Sequence, residues 1–438
     1  MKTSVDLILS EAAEVVTVAE GVAAEGCSTS AGPLLGAAMD DLGLVSHGAV
    51  AIHEGRVLAV GPAADIEARY ESQTRLSAEG GTVLPGFCDV HTHPVFAATR
   101  EGEFDLRARG GTYQDITAAG GGIFSSVRDL RRASRADLAT RLSHHLDRFL
   151  VSGTTTIEAK SGYGLTEETE LLALELLAAA HREHPVDIDP TCLAAHQVPP
   201  EYKDDRADYV RLIAERILPE VSRRGLARSA DVFCDQGAFT VDEARVVLEA
   251  ARDCGLARRV HADELAAVGA AELAAEVGAQ TADHLVKISD AGLAAMLAAK
   301  TTAVLLPGTC FSLRLPEAAP ARAMIEAGLS VAIASDFNPG TSYVPSMVAV
   351  ISLACGLLGM TVAESITAAT RNASETLGLP GVRGRLSSGA LADLVVLDVP
   401  NHLFLGYQVG WNPVSLVIKG GRVVWQRGHQ RPALQPAL

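Results

Sequence analysis

The stretch Val83-Leu-Pro-Gly-Phe-Cys-Asp-Val-His-Thr-His93 decides the fold, because an apolar, β-prone run ends there on two histidines. Side chains two apart on a strand share a face, so His91 and His93 enter the same space together. Two neutral imidazoles on one rigid element are half of a tetrahedral metal site. The spacing alone equally suits two structural histidines, so the reading depends on how the rest of the chain is organised.

Working outward, the same pattern recurs. Short apolar or β-rich runs occur at Gly153–Lys160, Asp187–His196, Ser229–Cys234, Arg258–His261, Gln280–His284, Thr301–Leu306 and Ser330–Asp336. Segments of helical period such as Thr166–His181, Val241–Cys254 and Ala266–Val277 separate them. With Val83–His93 this makes eight β/α repeats, which predicts an α/β fold of the (β/α)8 barrel type, although pattern alone leaves an open α/β sheet possible. Nearly every run ends on a chemically capable side chain: His91 and His93, Glu158 and Lys160, His196, His261, His284, Asp336. In a barrel those carboxyl-terminal strand ends form one mouth.

Taken singly, these residues have plain alternatives. His261 in RRVHADE also suits a core histidine, and Asp336 in SVAIASDFNPG also suits a turn or helix cap. A buried carboxylate without a partner is costly, however, and with the paired histidines the set becomes three imidazoles and one carboxylate, suited to one hydrolytic metal.

The 438 residues exceed a barrel of roughly 250. Short β-like runs lie at both ends (residues 1–20, 49–84, 392–399 and 415–428), with Gly420-Gly421 reading as a hairpin turn. We therefore expect a composite β-sandwich domain from 1–82 and 385–438, around a barrel domain from 83–384. Residues 21–47, rich in Gly, Ala and Ser, read as a loop or insertion. A net charge of −16 argues against a nucleic-acid partner. No apolar run approaches the roughly 20 residues of a membrane span, and MKTSVDLILSEAAEVV does not read as a secretory signal. Seven scattered cysteines without a CxxC pair suit reduced thiols, so a cytoplasmic protein is expected.

VLPGFCDVHTH, the later strand-end histidine and Asp336 at the eighth run resemble the amidohydrolase superfamily. That resemblance implies a distorted metal-holding barrel flanked by a β-sandwich. Relatives with two metals carry a lysine at the end of the fourth strand; here that strand reads ADVFCDQGAF, which favours one metal. Finer motifs are similar to the imidazolonepropionase family: HTHPVFAATREGEF, RARGGTYQDITAAGGGI, EAKSGYGL, AAHQVPPEY, DVFCDQGAF, HADE, TADHL, LPGTCFSL and SDFNPGTS. Ala98, Gln197 and the length of 21–47 depart from the family pattern, and Ala98 bears on the loop before Arg100.

The resemblance implies that His91, His93, His261 and Asp336 hold one zinc or iron ion per chain. Arg100, Tyr113, Tyr163 and His196 would hold the propionate and ring of the substrate. Glu264 and His284 would lie beside the reacting amide, and Asn338, Gly340 and Thr341 would line the pocket. The implied reaction is hydrolytic opening of 4-imidazolone-5-propanoate to N-formimidoyl-L-glutamate in histidine degradation, with Asp336, His284 and Glu264 sharing the proton transfers. The resemblance also allows a homodimer.

Elementary chemistry agrees where it can. A ring bearing a carboxylate wants a bidentate cation, which Arg100 supplies, although TREGEFDLRAR also suits a solvated surface arginine. Tyr163 between glycines could be a packing aromatic, and His196 and Glu264 could merely hold a neighbouring loop. AGGGI at 119–123 lacks the lysine and context of a phosphate loop, and reads as a close-approach or mobile segment. Two rival readings stand: an aminohydrolase (deaminase) of a heterocycle or formimino compound on the same metal barrel, and a barrel that binds without catalysing.

Overall fold

The computed structural model describes residues 2–19, 32–111, 120–378 and 381–428. Eight parallel strands follow one another in one sheet: β1 (Phe87–Thr92), β2 (Thr154–Lys160), β3 (Asp187–Ala195), β4 (Ser229–Cys234), β5 (Ala257–Ala262), β6 (Thr281–His284), β7 (Thr302–Leu305) and β8 (Val331–Ile333). The sheet nearly closes on itself. The Asp336 amide donates to the His91 carbonyl at 3.0 Å and the His93 amide to the Phe337 carbonyl at 2.8 Å, so chain just past β8 meets the end of β1. The seam therefore closes exactly where the site residues stand, and the fold is a distorted (β/α)8 barrel.

The helices between strands begin where side chains can cap them. Thr166 accepts from the Thr169 amide, Ser289 accepts from the Gly292 amide, and Thr240 with Glu243 forms a reciprocal capping box. Their apolar faces, including Leu174, Leu177, Val247 and Leu248, pack between helix layer and barrel wall in a continuous core.

Val83–His93 is not one strand. Thr82–Pro85 and Phe87–Thr92 belong to different sheets. The break falls at Gly86, whose amide donates to Asp393 O at 2.9 Å and where a Cβ would lie 2.4 Å from the Thr155 side chain. Only glycine lets the chain pass so close to β2. Two other bounds differ by more than two residues. The helix expected from Ala266 begins at Ala270, because Asp263 takes the amides of Val268, Ala270 and Ala271 into a preceding turn. The run expected through Asp336 is paired only over Val331–Ile333, and Asp336 itself has a left-handed φ of 49°.

Both ends of the chain build two further sheets. One has six strands, in the order Arg422–Gln426, Val414–Lys419, Leu394–Leu397, Thr82–Pro85, Glu14–Val16 and Leu44–Ser46. The other has four: Arg56–Pro62, Gly48–His53, Leu7–Ser10 and Arg75–Ser77. Leu9, Val15, Val50, Val83, Leu394 and Ile418 share one core between them. Gly420 and Gly421, with φ of 53° and 75°, form the expected hairpin turn. Of the stretch 21–47, the part from residue 32 onward is described. It is not structureless: a 3-10 turn at Gly36–Asp40 precedes the strand Leu44–Ser46. No helix among the described residues is long and apolar enough to cross a membrane.

Candidate metal centre and active site

His91 and His93 leave the end of β1 on one face, with their Nε2 atoms 3.2 Å apart. His261 on β5 brings its ring centroid to 4.4 Å from that of His91 and 5.4 Å from that of His93. One ligand atom from each of the three lies within 4.8 Å of the others. Asp336 Oδ1 stands 3.6 Å from His91 Nε2 and 3.4 Å from His93 Nε2. All four side chains are buried.

This arrangement fits a cation. Asp283 at Nδ1 leaves His91 Nε2 as an acceptor facing His93 Nε2 at 3.2 Å, and His93 Nδ1 and His261 Nε2 are buried without a hydrogen-bond partner. Three imidazoles and one carboxylate form the donor set expected of a single hydrolytic metal. Although burial alone raises it, the Asp336 carboxyl is held well below the usual range by His93, His284 and the Thr309 hydroxyl. Burial keeps His91 and His93 neutral, the form that can ligate.

Behind the imidazoles stands a layer whose two aspartates the sequence reading did not single out. His91 Nδ1 is 2.6 Å from Asp283 Oδ2, and His261 Nδ1 is 3.0 Å from Asp231 Oδ2. Carboxylates at Nδ1 fix the tautomer that turns Nε2 toward a metal. The fully buried Lys160 ammonium joins this layer, 2.8 Å from Asp231, 2.9 Å from Glu158 and 3.9 Å from Asp283. A signal was available: SADVFC and TADH each set an aspartate inside a buried strand, which demands a partner.

His196 stacks on His93 with centroids 5.2 Å apart and donates from Nδ1 to Gly162 O at 3.0 Å. Tyr163 sits beside both rings, 6.1 Å from His93 and 5.3 Å from His196. Its loop is pinned by the buried Glu170, which accepts the amides of Gly162, Gly164 and Leu165. Glu264 Oε1 lies 3.6 Å from His284 Nδ1, and Asp235 takes the Glu264 amide at 2.7 Å. Burial, then the charge of Asp336, pushes Glu264 up to about 8, while burial pushes His284 down to about 3. An acid that keeps its proton at neutral pH thus faces a neutral imidazole, the separation that divides proton-transfer roles. His284 holds a left-handed φ of 74°, a strained geometry for a non-glycine residue, and its ring centroid stands 5.3 Å from that of His261.

Asn338 builds the next turn: its Oδ1 accepts the amides of Gly340 and Thr341 at 2.8 and 2.7 Å. Beside this turn opens a cavity of about 420 Å³ lined by Arg100, Phe104, Arg107, Gly340, Thr341 and Tyr343 among others. No imidazole is among its lining residues. Arg100 packs so closely on Gly340 that a Cβ there would lie 2.2 Å from Nη1. Of the residues named from the sequence, Tyr113 lies outside the described residues. Of the departures from the family pattern, Gln197 donates to Gly237 O at 3.1 Å and accepts the Val198 amide at 2.9 Å, and nothing in the structure explains Ala98.

The amidohydrolase family model matches residues 82–424, and a model described as the bacterial imidazolonepropionase-like composite domain matches 48–70. The imidazolonepropionase of Geobacillus kaustophilus is 46% identical over 426 residues, 96% of this chain and 98% of that one. That of Symbiobacterium thermophilum is 44% identical over 431 residues, covering 98% and 99%. The chain belongs to the imidazolonepropionase family of amidohydrolases. Its members are hydrolases of carbon–nitrogen bonds, and the buried histidine triad is where this one could hold a metal. Among solved structures, a zinc-bound adenosine deaminase from Xanthomonas campestris superposes with a TM-score of 0.71 at 17% identity, covering 99% of this chain and 96% of that one. A 5-methylcytosine deaminase from Klebsiella pneumoniae gives 0.69 at 17%, covering 89% and 97%. At such identity these neighbours share the barrel; the imidazolonepropionase family is carried by the sequence relatives.

Proposed function

We propose that this chain hydrolyses 4-imidazolone-5-propanoate to N-formimidoyl-L-glutamate, in the cytoplasm, as a step of histidine degradation. The observation that carries the reading is the joint placement of His91, His93, His261 and Asp336 beside the Glu264–His284 pair. Zinc or iron both suit three imidazoles and a carboxylate. One such ion, held by those four residues, would supply Lewis-acid polarisation of the amide carbonyl and a water acidified towards neutral pH.

The chain's own groups do the rest. Arg100 holds the propionate by a charge-assisted pair, and Tyr113, Tyr163 and His196 frame the ring. Asp336, ionised at neutral pH, accepts the proton of the attacking water. His284, neutral, orients that water and donates to oxygen charge as it develops. Glu264, protonated at neutral pH, holds a ring nitrogen and delivers its proton to the nitrogen that leaves. Asn338, Gly340 and Thr341 close the pocket wall. The division into a terminal β-sandwich (1–82 and 385–438) and a barrel (83–384), and assembly as a homodimer, complete the proposal.

The test is to incubate metal-quantified protein with freshly made imidazolonepropionate and follow loss of its ultraviolet absorbance, beside a chelator-treated control. Metal-dependent loss with formimidoylglutamate appearing supports the reading. No loss from protein holding about one metal per chain overturns the substrate, and ammonia release from amino-heterocycles would then establish the deaminase reading instead.

A further inference from the structure

Arg107 was not among the residues the sequence pointed to. It lies seven residues after Arg100, on the helix α1 (Glu101–Ala108) that Arg100 starts, and so returns to the same face two turns later. Both guanidiniums line the same cavity. Both also pack on one glycine: Arg107 Nη2 donates to Gly340 O at 3.0 Å, and Arg100 Nη1 lies where a Gly340 Cβ would stand.

Two carboxylates stand near these arginines, and neither forms an ion pair with Arg107. Glu101 also lines the cavity but lies exposed to solvent, and Glu103, whose charge reaches both arginines, is already engaged. Its Oε2 accepts from Arg100 Nη2 at 2.7 Å, and its Oε1 accepts the Gly122 amide at 2.9 Å. Among the described residues no carboxylate pairs with Arg107, and its Nε, like that of Arg100, is buried without a hydrogen-bond partner. Half-buried cations of this kind are retained where an anion completes them. Arg107 meets the geometric needs of that role, since a planar guanidinium matches a carboxylate in two parallel bonds.

We propose that Arg107 is a specificity-determining residue that, with Arg100, forms a two-guanidinium seat for the carboxylate of the substrate. This rests on the reading of the substrate as a ring bearing a propionate. The competing role for Arg107 is a strut that ties α1 to the Asn338–Thr341 turn. A strut serves every ligand equally, whereas a carboxylate seat serves only the acid.

Two ligands that differ in the carboxylate separate these roles: imidazole-4-propionate and 4-propylimidazole, each titrated calorimetrically into metal-loaded enzyme. Arg107→Gln should weaken the acid by roughly tenfold to a hundredfold, the loss of one charge-assisted contact, and the neutral ligand by less than about twofold. In turnover KM should rise with kcat within about twofold, as for a contact made equally in ground and transition states. Arg107→Lys, which keeps the charge but gives up the two-bond fork, should weaken the acid by a smaller factor, about threefold to tenfold, with the neutral ligand again within about twofold. Equal losses for both ligands, in either variant, or no loss for the acid in Arg107→Gln, would overturn the seat. If Arg107→Gln failed to fold, Arg107→Lys alone decides, because a strut predicts loss of both ligands there too. Wild-type enzyme that prefers the acid through Arg107 yet leaves imidazolonepropionate untouched would sink the assigned substrate and spare the seat.

Discussion

Asp283→Asn probes whether the layer behind the imidazoles tunes the metal centre. In the wild type the carboxylate lies 2.6 Å from His91 Nδ1, which holds the proton there and leaves Nε2 free to ligate. Asparagine keeps the shape but removes the charge. It can also turn its NH2 toward the ring, which would force the imidazole proton onto Nε2 and close that ligand. Both effects act in one direction. Loss of such an outer partner lowers metal affinity about 10- to 100-fold, or ~1.4–2.8 kcal/mol. The fold should survive: Lys160 keeps Asp231 at 2.8 Å and Glu158 at 2.9 Å, and burial already disfavours the charged form of Asp283. The assay is competition for zinc against a chromophoric chelator at neutral pH, with circular dichroism as the control for folding. Native spectra with zinc affinity within about twofold of wild type would refute the claim that Asp283 acts through His91.

Further outcomes follow from other groups. Asp336→Asn should cut turnover by orders of magnitude with the thermal midpoint little changed; near-normal turnover would remove Asp336 from the proton path. Gly340→Ala places a Cβ 2.2 Å from Arg100 Nη1, so the guanidinium must move. KM should rise about tenfold or more, the worth of one charge-assisted contact, and an unchanged KM would separate Arg100 from substrate. His145, stacked on Phe96, is pushed down by burial to about 4 despite its hydrogen bond to Pro94 O. Because its folded pKa lies below the ordinary 6.5, the unfolded chain binds the extra proton, and stability is lost as pH falls from about 6.5 to about 4. That single group accounts for about 2–3 kcal/mol, so metal-free His145→Gln should show a flatter fall in thermal midpoint over that interval. Parallel curves for the two proteins would exclude it.

What the sequence revealed, and what it hid, divides along a physical line. The strand ends were legible because a barrel gathers them. His91, His93, His261, His284 and Asp336 each follow an apolar run, and that position alone predicts convergence once eight repeats are counted. Asp231 and Asp283 were hidden because their meaning depends on strand neighbours. Register sets Phe233 beside His261 and Asp231 beside Arg259, which puts the Asp231 carboxylate under the histidine, and no single run encodes that pairing. The same applies to Lys160, visible as a strand end but unreadable as the cation of three carboxylates on three strands. Glu170, Asp235 and Asp263 were hidden for another reason. Each spends its oxygens on backbone amides of a loop, a role that composition cannot distinguish from a solvated acid. The Gly86 break was missed because VLPGFCDVHTH is apolar throughout, and only contact with Thr155 shows why the chain must change sheets there. A site built from convergent ends thus announces its ligands before its supports, since a ligand is scarce chemistry at a marked position and a support is common chemistry in an uncommon pairing.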